Sequence, residues 1–175
     1  MKKRLSIQDL IYIALMAVVI ALCSWISVPS AVPFTMQTFA VFCALLLLGG
    51  KRGFLAVGLY ILLGAFGLPV FSGFRGGAGA LLGPTGGYIL GFLLAAALYW
   101  LLEGKLRDLV LLVAGLLVCY AFGTLWFVYV YASGGKELGF GAALMLCVVP
   151  YIIPDAIKLL LAFVLARRVK KAVRL

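Results

Sequence analysis

Asp155 and Lys158 stand three residues apart inside the stretch VVPYIIPDAIKLLLAF, residues 148–163. At that spacing an acid and a base share one face of a helix. Each charge at the centre of a membrane helix costs at least about 2.5–3.5 kcal/mol on insertion scales, and such residues commonly mark a solute path. Two readings follow. The pair can neutralise itself as an ion bridge that makes insertion tolerable. Alternatively it faces a polar cavity and holds a solute, the carboxylate accepting hydrogen bonds and the ammonium donating them. Pro150 and Pro154 precede the pair by up to about one and a half helical turns. Each proline removes a helical hydrogen bond one turn back, which leaves a carbonyl for a ligand or simply kinks the helix for packing.

Other candidates lie at the starts of apolar segments. VPFTMQTF supplies Thr35, Gln37 and Thr38, and LLGPTGGYILG supplies Gly86, Gly87 and Tyr88. Glycine-rich turns before helices can cradle phosphate, but this one lacks the lysine of a P-loop. Helix N-termini carry free N–H groups and a positive dipole end, so two of them beside one cavity favour a carboxylate or another anion. Gly83, Gly87 and Gly91 recur every four residues and allow close approach of a neighbouring backbone or a ligand. Tyr88 suits ring stacking or an aromatic belt. Between the two regions, GLPVFSGFRGGAGALLG, residues 67–83, is a long, nearly uncharged loop with Arg75 as its one charge. It can fold over a cavity as a lid. Arg75 would then meet a ligand carboxylate or a lipid headgroup.

Much chemistry is excluded by composition. The chain has no histidine, which removes His-based zinc sites and triads. Of five carboxylates, Asp9, Glu103, Asp108 and Glu137 fall at segment ends or in loops, so a paired-carboxylate acid–base site is hard to build. Cys23, Cys43, Cys119 and Cys147 show no CxxC spacing and read as small apolar residues, with no metal implied. The reading is a non-enzymatic chain without a cofactor.

The elements that must position these residues are membrane helices. The 175 residues are 66% hydrophobic and 11% charged, and apolar runs near the ~20 residues of a spanning helix recur throughout. Six helices are predicted, at roughly 8–28, 34–48, 53–68, 85–102, 109–131 and 142–166, in a single transmembrane domain covering residues 1–175. The second and third are short, about 22–24 Å at ~1.5 Å per residue. The first is too long an apolar run for a cleaved signal peptide and reads as a mature helix. Its Ala17 and Ala21 have small-xxx-small spacing, which suits close packing within the chain or with another membrane helix.

Charge sets the orientation. Lys2, Lys3, Arg4, Lys51, Arg52, Lys105, Arg107, Arg167, Arg168, Lys170, Lys171 and Arg174 fall on one side of a six-span arrangement, and only Arg75 and Lys136 on the other. The positive-inside rule places both termini in the cytoplasm. The net charge of +10 thus reads as topology anchoring at a bilayer, with no nucleic-acid partner.

In this order, VPFTMQTFAVFCALLLLGGKRG, LLGAFGLPVFSGFRGGAGALLGPTGGYILGF and PDAIK resemble the BioY family over about residues 10–166. The family comprises biotin-binding S components of energy-coupling factor (ECF) transporters. The resemblance implies an S-component-like fold in a prokaryotic cell membrane and capture of biotin from outside. It implies partners as well, a transmembrane T component and two ATPase subunits, with docking through Ala17 and Ala21. It also suggests roles. Asp155 accepts from a ureido N–H and Lys158 donates to the ureido carbonyl or pairs with a carboxylate. Gln37 and Thr35 add hydrogen bonds, Gly86, Gly87 and Tyr88 wall the bicycle, and Arg75 or a helix N-terminus holds the valerate. The rivals are an S component for another vitamin, a membrane enzyme using Asp155 and Lys158, and a proton-coupled secondary carrier.

Overall fold

The computed structural model describes residues 5–30, 32–135 and 138–173. Lys2, Lys3, Arg4, Lys136 and Arg174, which entered the charge count, and Glu137 lie outside the described residues.

The first helix, α1 (Ile7–Trp25), begins at Ser6. Ser6 Oγ accepts from the Asp9 N–H at 3.1 Å, and Asp9 Oδ2 accepts from the Ser6 N–H at 2.9 Å. This reciprocal cap satisfies donors that a helix start otherwise leaves open. Asp9 also pairs with Arg52 at 2.8 Å, tying this end of α1 to α3 (Gly50–Ala65). Between them, α2 (Gln37–Leu48) joins α3 through Gly49, whose φ of 79° suits glycine.

Next come the short α4 (Ala78–Leu82), then α5 (Gly86–Leu102) and α6 (Asp108–Ser133). The chain ends in α7 (Phe140–Cys147) and α8 (Val149–Val173). Three helical stretches, Ile7–Trp25, Asp108–Ser133 and Val149–Ala172, are long and apolar enough to cross a membrane, and Gln37–Leu48 and Gly86–Leu102 are shorter apolar helices.

Several boundaries depart from the expected segments. The first apolar run was expected to stay helical to Val28 and the second to begin at Phe34. Instead β1 (Ser27–Val28) pairs antiparallel with β2 (Phe34–Thr35), with Ser27 opposite Thr35 and Val28 opposite Phe34. Pro29 and Pro33 explain this, because each disfavours helix at the residue before it. The third helix is shifted three residues earlier, to Gly50–Ala65. The last segment is not one helix: it breaks at Val148 and then continues to Val173. Pro150 therefore lies in the first turn of α8, where its missing N–H costs nothing. Pro154 alone interrupts the helix interior.

α2 is apolar around its whole circumference and buried along nearly all its length, as a helix enclosed by others must be. It packs against α1, α3 and α8, while α5 packs against α3 and α6, and α7 bridges α6 to α8. The result is a ring of helices around one cavity. Outward faces carry Leu15, Leu62, Leu117, Leu125, Ile153 and Leu161, all more than half exposed. Such a surface suits lipid.

Ala17 and Ala21 are 1% and 7% exposed. This corrects the expectation that they form a docking face. Their small side chains are spent on packing inside the chain, where α1 meets α2 and α3. The face α1 presents outward carries Ala14, Val18 and Leu22.

Candidate functional site: a polar pair on the wall of an apolar cavity

The starts of α2 and α5, the first half of α8 and the middle of α6 converge on a cavity of about 760 Å³, counted to its open mouth. Like most small-molecule sites, it is mainly apolar with few placed polar groups. Phe71, Ile89, Phe92 and Leu116 supply apolar wall; Thr35, Gln37, Tyr88, Arg75, Asp155 and Lys158 also line it.

Asp155 and Lys158 are 5% and 4% exposed and form an ion pair at 2.9 Å. The two residues pair with each other and also line the cavity, so the ion bridge and the cavity-facing placement coexist. Lys158 Nζ also donates to the Thr35 carbonyl at 2.6 Å and lies 3.8 Å from the centroid of the Phe34 ring. The β1–β2 ribbon thus sets the ammonium in place. An ammonium has three donors, and these two bonds leave one. The second carboxylate oxygen of Asp155 accepts from the Tyr120 hydroxyl at 2.6 Å. Each Asp155 oxygen retains further acceptor capacity.

Gln37 is the first residue of α2 and 5% exposed, and its side-chain Nε2 has no hydrogen-bond partner among the described residues. A buried donor without a partner is costly, about 1–3 kcal/mol. On a cavity wall it is available to a solute. Thr35 Oγ1 is engaged differently, accepting from the Gln37 backbone N–H at 3.2 Å. Tyr88 is fixed by a 3.0 Å hydrogen bond between its hydroxyl and that of Thr124.

The 67–83 loop folds over the cavity. Phe71 and Arg75 exchange backbone hydrogen bonds at 2.9 and 3.3 Å, making a tight turn. Phe71 points inward, 2% exposed, edge-on to Tyr60 with ring centroids 5.5 Å apart. Trp25 Nε1 donates to the Pro69 carbonyl at 2.8 Å and stacks obliquely on Phe74. Arg75 lies at the mouth, its Nε donating to the Ser72 carbonyl at 3.1 Å. It forms no ion pair among the described residues.

Gly86 and Gly87 do not line the cavity, which corrects their expected role as its wall. A Cβ on Gly86 would strike the Leu81 backbone, and one on Gly87 would strike the Trp126 side chain. A Cβ on Gly91 would lie 2.9 Å from Cys119 Sγ. All three serve close packing. Trp126 Nε1 also donates to the Gly83 carbonyl at 3.0 Å, clamping the turn before α5.

Sequence reasoning missed Tyr120, Tyr151 and the thiols Cys119 and Cys147 as lining residues. Tyr151 hydrogen bonds to Ser30 at 2.8 Å and to the Val32 carbonyl, and its ring stacks on Phe34. It latches the ribbon to α8. The ring-and-charge pattern YIIPDAIK held a signal for it, since Tyr151 lies one turn before Asp155. Among the described residues no cluster of His, Cys, Asp or Glu is placed to hold a metal.

A helical membrane architecture closed around one small polar-anchored cavity defines a solute-binding integral membrane protein. The BioY family model matches residues 1–175, and the chain belongs to the BioY family, a family of transport proteins and not of enzymes. It is 42% identical over 169 residues to the "Biotin transporter BioY" of Thermotoga maritima, covering 94% of this chain and 96% of that protein. It is 45% identical over 139 residues to the "Probable biotin transporter BioY" of Pyrococcus horikoshii, covering 79% and 81%. In structure it resembles the S-component for biotin from an ECF-type ABC transporter, with a TM-score of 0.81, 28% identity, and coverage of 94% of this chain and 92% of that one.

Proposed function

We propose that this chain is the biotin-binding S component of an ECF-type transporter. The observation that carries the reading is the buried Asp155–Lys158 pair, held by Tyr120 and Thr35 on the wall of an otherwise apolar cavity. Biotin offers a ureido group with two N–H donors and one carbonyl acceptor, an apolar ring and a carboxylate. Asp155 accepts from a ureido N–H and Lys158 gives its remaining donor to the ureido carbonyl. Gln37 and Thr35 flank the same group, Tyr88 and Phe92 contact the ring, and Arg75 meets the valerate carboxylate at the mouth.

Biotin is cargo in this reading and undergoes no chemistry. The chain forms one transmembrane domain of six spans, α7 and α8 together making the sixth, with both termini cytoplasmic by the positive-inside rule. The cavity then opens outward, and the 67–83 loop covers it. A transmembrane T component and two ATPase subunits supply energy, meeting the outward face of α1. Isothermal titration of the purified protein with biotin tests the reading: saturable binding of one biotin per chain supports it. Binding of a different vitamin in place of biotin, or no binding, overturns it.

A further inference from the structure

The end of the molecule opposite the cavity carries a second concavity. α5 and α8 both start near the first cavity and run about 1.5 Å per residue away from it. At their far ends, and at the end of α2, lies a groove of about 1080 Å³ counted to its open face. Its floor is apolar, with Leu46 and Ala166 buried and Phe163 half-buried. Its rim is cationic: Arg107, Arg167 and Lys170.

None of the three cations forms an ion pair among the described residues; the ion pairs there are Asp9–Arg52 and Asp155–Lys158. The groove's one carboxylate, Asp108, accepts from the Tyr99 hydroxyl at 2.9 Å. Arg167 is held with its guanidinium carbon 4.2 Å from the centroid of the Phe163 ring, which joins the rim to the floor. The N-terminus of α6 opens on the same groove, and Arg107 at its cap makes no side-chain cap hydrogen bond. First-turn N–H groups there add a positive dipole end.

We propose that this groove binds one anionic phospholipid, its phosphodiester on Arg107, Arg167 and Lys170 and an acyl chain along Leu46, Phe163 and Ala166. Basic recesses between helices at the membrane surface recognise such headgroups. The apolar floor favours a lipid over a free anion. The site is separate from the Asp155–Lys158 cavity.

Native mass spectrometry of the detergent-purified full chain tests this. The protein is incubated with phosphatidylglycerol, with phosphatidylcholine, or with inorganic phosphate. Phosphatidylglycerol should be retained at one per chain, and at least fivefold more than phosphatidylcholine. The triple variant R107Q/R167Q/K170Q should lose that preference, while K51Q/R168Q/K171Q, which removes three charges outside the groove, should keep it. Equal loss in both variants, equal retention of both lipids, or displacement of the lipid by inorganic phosphate overturns the proposal. Melting temperature reports on folding of each variant. If the triple variant is unfolded, the single variants R107Q and K170Q are scored by the same lipid ratio. Biotin titration of the same samples reads the other cavity independently.

Discussion

Tyr120 on α6 donates its hydroxyl to Asp155 Oδ2 on α8 across 2.6 Å. With Lys158 on the other carboxylate oxygen, this bond fixes the orientation of the acceptor that the proposed ureido contact needs. Tyr120→Phe keeps the ring and removes the donor. It should weaken biotin binding three- to tenfold, and its effect should largely vanish in an Asp155→Asn background, because groups in one network do not add. Titration calorimetry on the double-mutant cycle measures this; simple additivity would separate Tyr120 from the site.

Removing either member of the pair has a larger effect. Asp155→Asn and Lys158→Ala should each weaken biotin binding at least tenfold, about 1.4 kcal/mol. Each also leaves an uncompensated buried charge, which commonly costs ~3–5 kcal/mol. Melting temperatures should therefore fall in both. Wild-type affinity in both variants would remove the pair from the binding site.

Gln37 gives a prediction of opposite signs. Its side-chain donor is buried without a partner among the described residues. Gln37→Met should raise the stability of the ligand-free protein, since an unsatisfied buried donor costs about 1–3 kcal/mol. The same change should lower affinity for biotin. Thermal melts with and without biotin check both signs at once, and a loss of stability without ligand would contradict the account.

Arg75 is predicted to recognise the carboxylate end alone. Arg75→Gln should weaken biotin several-fold and leave biotinamide, which lacks the carboxylate, nearly unchanged. Parallel titrations with the two ligands decide this. Equal losses would place Arg75 elsewhere than at the valerate.

Glycine positions separate packing from space. Gly87→Ala pushes a methyl into Trp126, whereas Gly79→Ala meets nothing within 4 Å. Overpacking typically costs ~1–3 kcal/mol, and an unobstructed surface change stays within about 0.5 kcal/mol. Melting curves should show a clear drop for Gly87→Ala and almost none for Gly79→Ala.

The sequence announced Asp155 and Lys158 because two charges in an apolar run have no inexpensive alternative to pairing or cavity lining. Arg75 was equally visible as the only charge in a long loop. Tyr120 and Tyr151 were not, because tyrosine within apolar helices fits membrane belts and cores as readily as binding sites. The roles of Gly86 and Gly87 depended on which neighbour each glycine meets, Leu81 and Trp126, and a period of four residues does not name the neighbour. The same limit applied to Ala17 and Ala21: spacing showed a close-packing face, while its partner turned out to lie within the chain. Strands of two residues, such as Ser27–Val28 and Phe34–Thr35, are too short for any periodicity to reveal. The Val148 break was hidden by uniform apolarity on both sides.

The central claim is tested most directly by native mass spectrometry of the wild-type protein purified from biotin-replete cells, alongside Asp155→Asn. The account predicts one bound biotin per wild-type chain, exchangeable with isotope-labelled biotin, and a mostly empty variant. A different bound vitamin, or a wild-type protein that is empty and ignores added biotin, would contradict it.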